Sequence, residues 1–169
     1  MAQLVPLDVG MEPEAGAVFS PDGKYRYRLW RVWDRSKPLV LFILLNPSTA
    51  DEFRLDPTLT RCRNFAQHWG YGGLLVGNIF ALRSTDPRAL YTDHDPVGPH
   101  NDIHLREMVV QAKTTVVGWG THGRWMDRGN AVIRFIPEPK CLGLNQDGTP
   151  KHPLYISSRS DPIPYRLSM

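Results

Sequence analysis

Residues 40–51 read VLFILLNPSTAD. The apolar run Leu39–Leu45 passes straight into Asn46-Pro47-Ser48-Thr49, and an acid follows at Asp51. A continuous apolar run without alternation marks a strand buried on both faces, as in a parallel or mixed sheet. Asn-Pro-Ser is good turn chemistry, since proline fixes φ while Asn and Ser bond nearby backbone. At the carboxyl end of a buried strand the same groups can also hold a ligand. Fold and site therefore hang on one stretch.

The neighbouring segments extend the pattern. Residues 20–34, SPDGKYRYRLWRVWD, place a Pro-Asp-Gly turn before a run of period two rich in aromatics, which predicts half of a β-hairpin spanning 18–34. DPTLTRCRNFAQHWG predicts a helix capped by Asp56 or Thr58, with Leu59, Cys62, Phe65, Ala66 and Trp69 on one face and Gly70 as its stop. GGLLVGNIFAL is the next apolar strand, and NDIHLREMVVQAK a second helix capped by Asn101 or Asp102. TTVVGWG is a third strand, HGRWMDRGNAVIRFI a third helix or helical turn, and KCLGLNQDGTPKHPLYI a short strand, an Asp-Gly turn and a last segment. Strands alternating with helices predict a three-layer α/β/α sandwich with a mainly parallel central sheet. One domain spans 1–169: a loosely ordered lead-in over 1–17, the hairpin, and an α/β core over 38–157.

Composition restricts the function classes. The 169 residues are 41% hydrophobic and 22% charged, ordinary for a soluble globular chain. The longest apolar run is far short of the roughly 20 residues that span a bilayer, so no membrane partner is expected. The first residues, MAQLVPLDVGMEPEAG, show no basic stretch leading into an apolar one, which predicts no secretory signal. Cys62 and Cys141 have neither metal-ligand nor disulfide-framework spacing, and two free thiols suit a reducing cytoplasm. His100 and His104 stand four apart without a His-Glu-x-x-His pattern, so neither metal nor cofactor is expected. Phosphate-loop, dinucleotide-binding and nucleophile-elbow motifs are missing from the sequence. The net charge of +3 is compatible with nucleic acid without demanding it.

In a parallel sheet, ligands bind at the carboxyl ends of the strands. Four polar features fall there: Asn46-Pro47-Ser48, Asn78, Trp119-Gly120 and His152-Pro153. Asn46 can fix a water or read a heterocycle edge, or it can close an Asx turn and nothing more. Ser48 and Thr49 offer a cap and backbone N–H groups to an anion. Asn78, an amide in an apolar strand, either completes a structural network or recognises a ligand edge. Arg83 at that strand's exit can meet a phosphate. Trp119 between two glycines can stack on a planar ligand or fill the core. His152 can donate a proton or stabilise an anion, with Tyr155 nearby as an aromatic contact.

Five stretches in order, LNPSTAD, NIFALRSTDP, DPVGPHND, GWGTHG and GTPKHPLY, resemble the bacterial and phage family named domain of unknown function 1643, over about residues 24–157. More distantly, strand–Asn-Pro, strand with Asn, strand–Trp-Gly and a late His-Pro are similar to the uracil-DNA glycosylase superfamily. That likeness implies a glycosylase-like fold with a nucleobase, nucleotide or DNA as partner. It implies that Asn46 places the hydrolytic water; Asp51 is an extra acid that departs from the superfamily's motif, a second catalytic carboxylate or a turn cap. Asn78 would read a base, His152 would stabilise the departing base anion, and Ile156 would stand at the wedge position. The last motif departs from the superfamily's His-Pro-Ser by reading His-Pro-Leu-Tyr. The expected function is hydrolysis of an N-glycosidic bond. Its alternatives are a non-catalytic nucleotide or nucleic-acid binding module, and an enzyme on a small phosphorylated metabolite using Arg83.

Overall fold

The computed structural model of the chain describes residues 14–48 and 55–166. Among these, strands β1 (Ala15–Phe19), β2 (Arg26–Val32), β3 (Leu39–Leu44), β4 (Gly73–Asn78), β5 (Thr114–Val117), β6 (Lys140–Cys141) and β7 (Ile163–Pro164) form one sheet. The helices are α1 (Pro57–His68), α2 (Asn101–Gln111) and α3 (Arg128–Ile133), with short 3-10 turns at Pro87–Tyr91, Thr121–Asp127 and Pro153–Tyr155. In space the strands run β1-β2-β4-β3-β5-β6-β7.

The fold is α/β, but the sheet is mixed rather than mainly parallel. β4, β3, β5 and β6 pair in parallel at its centre, whereas β1–β2, β2–β4 and β6–β7 are antiparallel. The parallel pairs need crossovers, which the helices supply; the flanking strands cover edges that would otherwise stay open. The N-terminal hairpin thus joins the sheet through β2 instead of lying over it. Its first strand begins at Ala15, so residues 15–17 are strand and not lead-in. Gly16 faces Trp30 across the hairpin, and a Cβ there would fall 2.2 Å from the indole. The small residue lets the ring cover the strand.

Alternation along β3 divides the core into two layers. Val40, Phe42 and Leu44 pack with Leu59, Cys62 and Phe65 of α1 on one face. Leu41 and Ile43 pack with Leu105 and Met108 of α2 and Val132 of α3 on the other. α1 starts as its sequence predicts: the Asp56 carboxylate accepts from the Leu59 N–H, and Pro57 occupies the first turn. Gly70 then closes its end at φ 85°.

α2 starts differently. His100 is its cap, and Asn101 is already inside and fully buried. The Asn101 amide donates to the Asn78 and Ile79 carbonyls at 2.8 and 3.2 Å. Those carbonyls lose their ladder partners where β4 ends, and a buried acceptor left bare costs about 1–3 kcal/mol. Tertiary demand thus recruits the residue that local propensity assigns to the cap.

Both arginines at the start of β2 are buried. Arg28 donates through Nε to His104 Nδ1 at 2.9 Å and through Nη2 to the His104 carbonyl at 3.2 Å, with Glu107 at 3.4 Å. Burial first, and the Arg28 charge second, push the His104 imidazole down to about 4. The ring stays neutral so that Nδ1 can accept. Unfolded His104 binds its proton near the ordinary 6.5, so falling pH favours the unfolded chain between 6.5 and 4. The full shift corresponds to about 3 kcal/mol. Chemical denaturation across that window should show stability falling as acid is added, and more shallowly in His104→Gln; equal slopes would refute the assignment.

Candidate functional site

The central strands deliver their polar residues to one edge. Leu44 stands abreast of Asn78, and Ile43 abreast of Val117. Asn46, Asn78 and the Gly118-Trp119-Gly120 turn therefore emerge side by side. His152 does not follow a strand directly. It caps the Pro153–Tyr155 turn, and a loop from β6 carries it back over the strand ends. Lys151 N–H donates to the Gly143 carbonyl and Gly120 N–H to the Pro150 carbonyl, each at 2.9 Å. A Cβ on Gly118 would sit 3.0 Å from both the Lys151 carbonyl and Pro153, so glycine lets this loop close down on β5.

Two adjoining hollows result, of about 660 and 360 Å³, both walled by Asn46, Thr85 and His152. The larger reaches Trp119, Gly120, Lys151 and Tyr155. The smaller reaches Arg26, Pro47, Ser48, Asp56 and Asn78. Of the residues singled out in the sequence, Asn46, Pro47, Ser48, Asn78, Trp119, Gly120, His152 and Tyr155 thus meet in one crevice. Thr49 and Asp51 lie outside the described residues.

Arg83 is not among the residues lining either hollow. It stacks on Phe19, with 4.8 Å from guanidinium carbon to ring centre, and donates to the Gly23 carbonyl at 3.1 Å. Trp119 is 3% exposed and packs edge-on to Tyr165 within the core, so it forms wall more than platform. Ile156 is buried in the layer beneath α1. The exposed residue of its turn is Tyr155.

Asn46 is more than the closure of its own turn. Its Nδ2 donates to the carbonyls of Pro47, Leu82 and Ser84 at 3.2, 3.2 and 2.9 Å. Three acceptors around one group fix the amide's orientation. Oδ1, on a residue that walls both hollows, meets no donor among the described residues. Asp56 holds the other carboxyl function: one oxygen accepts from the Leu59 N–H, the other from the Ser48 hydroxyl.

His152 Nδ1 accepts from the Leu154 N–H at 3.3 Å. Burial pushes its pKa below the ordinary 6.5, and nearby Asp56 opposes this more weakly. At neutral pH the ring is uncharged and carries its proton on Nε2. Arg26 is 2% exposed; burial lowers its guanidinium to about 10, Asp56 pulls the other way, and it stays charged. Cys62 and Cys141 are buried thiols pushed upward by desolvation, so neither is an activated nucleophile. Among the described residues no group of three His, Cys, Asp or Glu could hold a metal ion, and no helix is long and apolar enough to cross a membrane.

A family model described as "Protein of unknown function (DUF1643)" matches residues 26–154. The chain belongs to that family. No curated protein and no solved structure matches the chain. The DUF1643 span begins at Arg26 and encloses Asn46, Asp56, Asn78, Trp119 and His152.

Arg26 and Asp56 are among the crevice residues that the sequence does not single out, as are His122, Asn145 and Lys151. Arg26 looks like one more arginine of a period-two strand, and only the pairing of β2 with β4 brings it to the strand ends. Asp56 is legible as a helix cap, and that role conceals the second.

The Asn46 clamp yields a prediction. Asn46→Asp keeps the shape but turns a donor into a charged acceptor facing three carbonyls. It should cost about 1–3 kcal/mol in urea unfolding, unlike the mild effect expected for an asparagine that serves only its own turn.

Proposed function

We propose that the crevice binds a nucleobase and hydrolyses the N-glycosidic bond that carries it. The carrying observation is the bilobed hollow whose shared wall holds an acceptor, Asn46 Oδ1, and a neutral imidazole donor, His152. The smaller lobe takes the base, whose polar edge meets the Asn78 amide and the Arg26 guanidinium. The larger lobe takes the sugar side. The scissile bond then lies at the shared wall.

In this scheme Asn46 Oδ1 accepts a hydrogen bond from a water positioned at the anomeric carbon. Water oxygen bonds to that carbon as the carbon–nitrogen bond breaks, and the electron pair leaves with the base. His152 Nε2–H donates to the resulting base anion, which stabilises the charge without a net proton transfer. The water's proton goes to a carboxylate, and Asp56 is the one in the described wall. The uracil-DNA glycosylase likeness supports the same assignment through Asn46, Asn78 and His152; Asp51, an acid beyond that superfamily's motif, belongs to the proposal on sequence alone. The His-Pro-Leu-Tyr departure points to a substrate other than the one that superfamily is named for.

Binding without turnover is the second reading. One observation favours it: both Asp56 oxygens are already engaged, by Ser48 and by the α1 N-terminus. Action on a phosphorylated metabolite loses its arginine, since Arg83 is held against Phe19 and Gly23.

Mass spectrometry of co-purifying ligand, with assays for base release from uracil- and hypoxanthine-containing nucleosides and oligonucleotides, tests the proposal. Released free base is expected, with Asp56→Asn slowing release about 10²-fold or more. A bound base without release selects the second reading. Neither binding nor release of any base overturns both. Burial lowers the His152 pKa, so any acid limb set by this ring should centre below its ordinary 6.5. An acid limb centred above 6.5 would remove the neutral-imidazole role.

A further inference from the structure

We propose that the rim of the larger lobe is a platform for single-stranded nucleic acid, so that the crevice receives a base within a strand and not a free nucleoside. This rests on the nucleobase reading of the crevice. It adds the substrate's class, from residues that reading does not use.

The first observation is Tyr155. It lines the larger lobe and is 81% exposed, the ring standing 5.9 Å from His152 at an interplanar angle of 51°. An aromatic ring left in water at a cavity mouth forgoes the stabilisation that burial gives elsewhere. A second aromatic group adjoins the lobe at His122. His122 lines the cavity, and Tyr91 contacts it through a 2.8 Å bond from the phenol oxygen to His122 Nδ1. Trp125 meets Tyr91 edge-on with centroids 4.6 Å apart, and both rings are partly exposed. Tyr155 thus borders the cavity directly, and the Tyr91 and Trp125 rings adjoin its wall at His122.

The second observation is charge. Lys151, Arg61 and Arg159 surround the 152–156 turn, and none forms an ion pair among the described residues. Lys151 precedes His152, Arg61 reaches the Leu154 carbonyl at 3.4 Å, and Arg159 lies beside Ser160, whose carbonyl accepts from Trp69. α1, which runs alongside, carries arginines and no acid.

Unpaired cations next to stacking rings suit a ligand in which phosphates alternate with planar groups, that is, a nucleic-acid strand. A duplex keeps its base faces stacked on one another and gives the rings nothing to cover.

Fluorescence anisotropy with labelled single-stranded DNA of mixed sequence, the same sequence as duplex, and the four mononucleotides is the test. The single strand should bind more tightly than any mononucleotide and than the duplex, with affinity falling as salt rises. Tyr155→Ala should weaken strand binding about tenfold without moving the thermal midpoint, and Tyr155→Phe should restore it. Lys151→Gln should lower the salt slope by about 0.7. Unchanged binding by Tyr155→Ala, equal affinity for mononucleotides, or tighter binding of the duplex would each overturn the proposal. Competition by free base separates it from the reading beneath. Tyr155-dependent strand binding that no free base disturbs supports the platform and removes the base pocket. Free base bound in the crevice, with no strand bound, removes the platform and leaves the base pocket standing.

Discussion

The crevice exists because β3 is paired in parallel on both edges, so the crossovers leaving the neighbouring strands β3 and β4 run in opposite directions. The first crossover, through α1, lays β4 on one side of β3 and covers one face. The second, through α2, passes back over β3 to lay β5 on its other side and covers the opposite face. A right-handed crossover demands this change of face whenever the sheet grows in the other direction. At the carboxyl ends of β3 and β4 the two connections therefore diverge, which is where α/β sheets form a crevice. Asn46 emerges into that crevice two residues after the strand ends.

A gap at strand ends is costly to maintain, because its floor exposes carbonyls that no ladder serves. The chain answers with side-chain amides and guanidinium groups. Asn46 serves Leu82 and Ser84, Asn101 serves Asn78 and Ile79, and Arg128 serves Ile79 through Nε at 2.7 Å while pairing with Asp102. Each donor comes from a different segment, so the floor is tied to the β3 turn, to α2 and to α3 at once. The two buried arginines of β2 show how position decides role. Arg28 meets a neutral imidazole and a carboxylate and serves stability. Arg26, two residues earlier, lines the hollow with Asp56.

The central architecture was legible because its signals are local. Apolar runs of strand length, an Asp-Pro start and a Gly stop specify β3, β4, β5 and α1 without reference to the rest of the chain. The outer strands were not. β7 is two residues beside a proline, and nothing but β6 makes it a strand. The antiparallel entry of β2 likewise depends on which edge of β4 is open, a property of the assembled sheet. In the site, residues that follow strands were legible by their place. Arg26 and Asp56 were not, since each carries a sufficient local explanation as a strand residue or a cap. Arg83 misled in the opposite sense: its place after β4 is right, but Phe19 of the hairpin captures it.

The rim obeys a different rule from the floor. Met126 and Asp127 both take left-handed backbone, at φ 58° and 53°, a conformation that costs on the order of 1 kcal/mol for each side-chain-bearing residue. The cost persists because both flanks are fixed. Before the pair, Trp119 is wedged between Gly123 and Gly129, where a Cβ on either would approach its ring within 2.0 and 2.7 Å. After it, Asn130 donates to Asp127 at 2.7 Å, and Arg128 is anchored in the floor. With both flanks held, the chain reverses through two strained residues and turns Trp125 and Met126 outward. The same Trp119 that walls the larger lobe thus fixes the rim above it. A substitution that loosened Trp119 would remove one of the two fixed flanks that hold the strained pair.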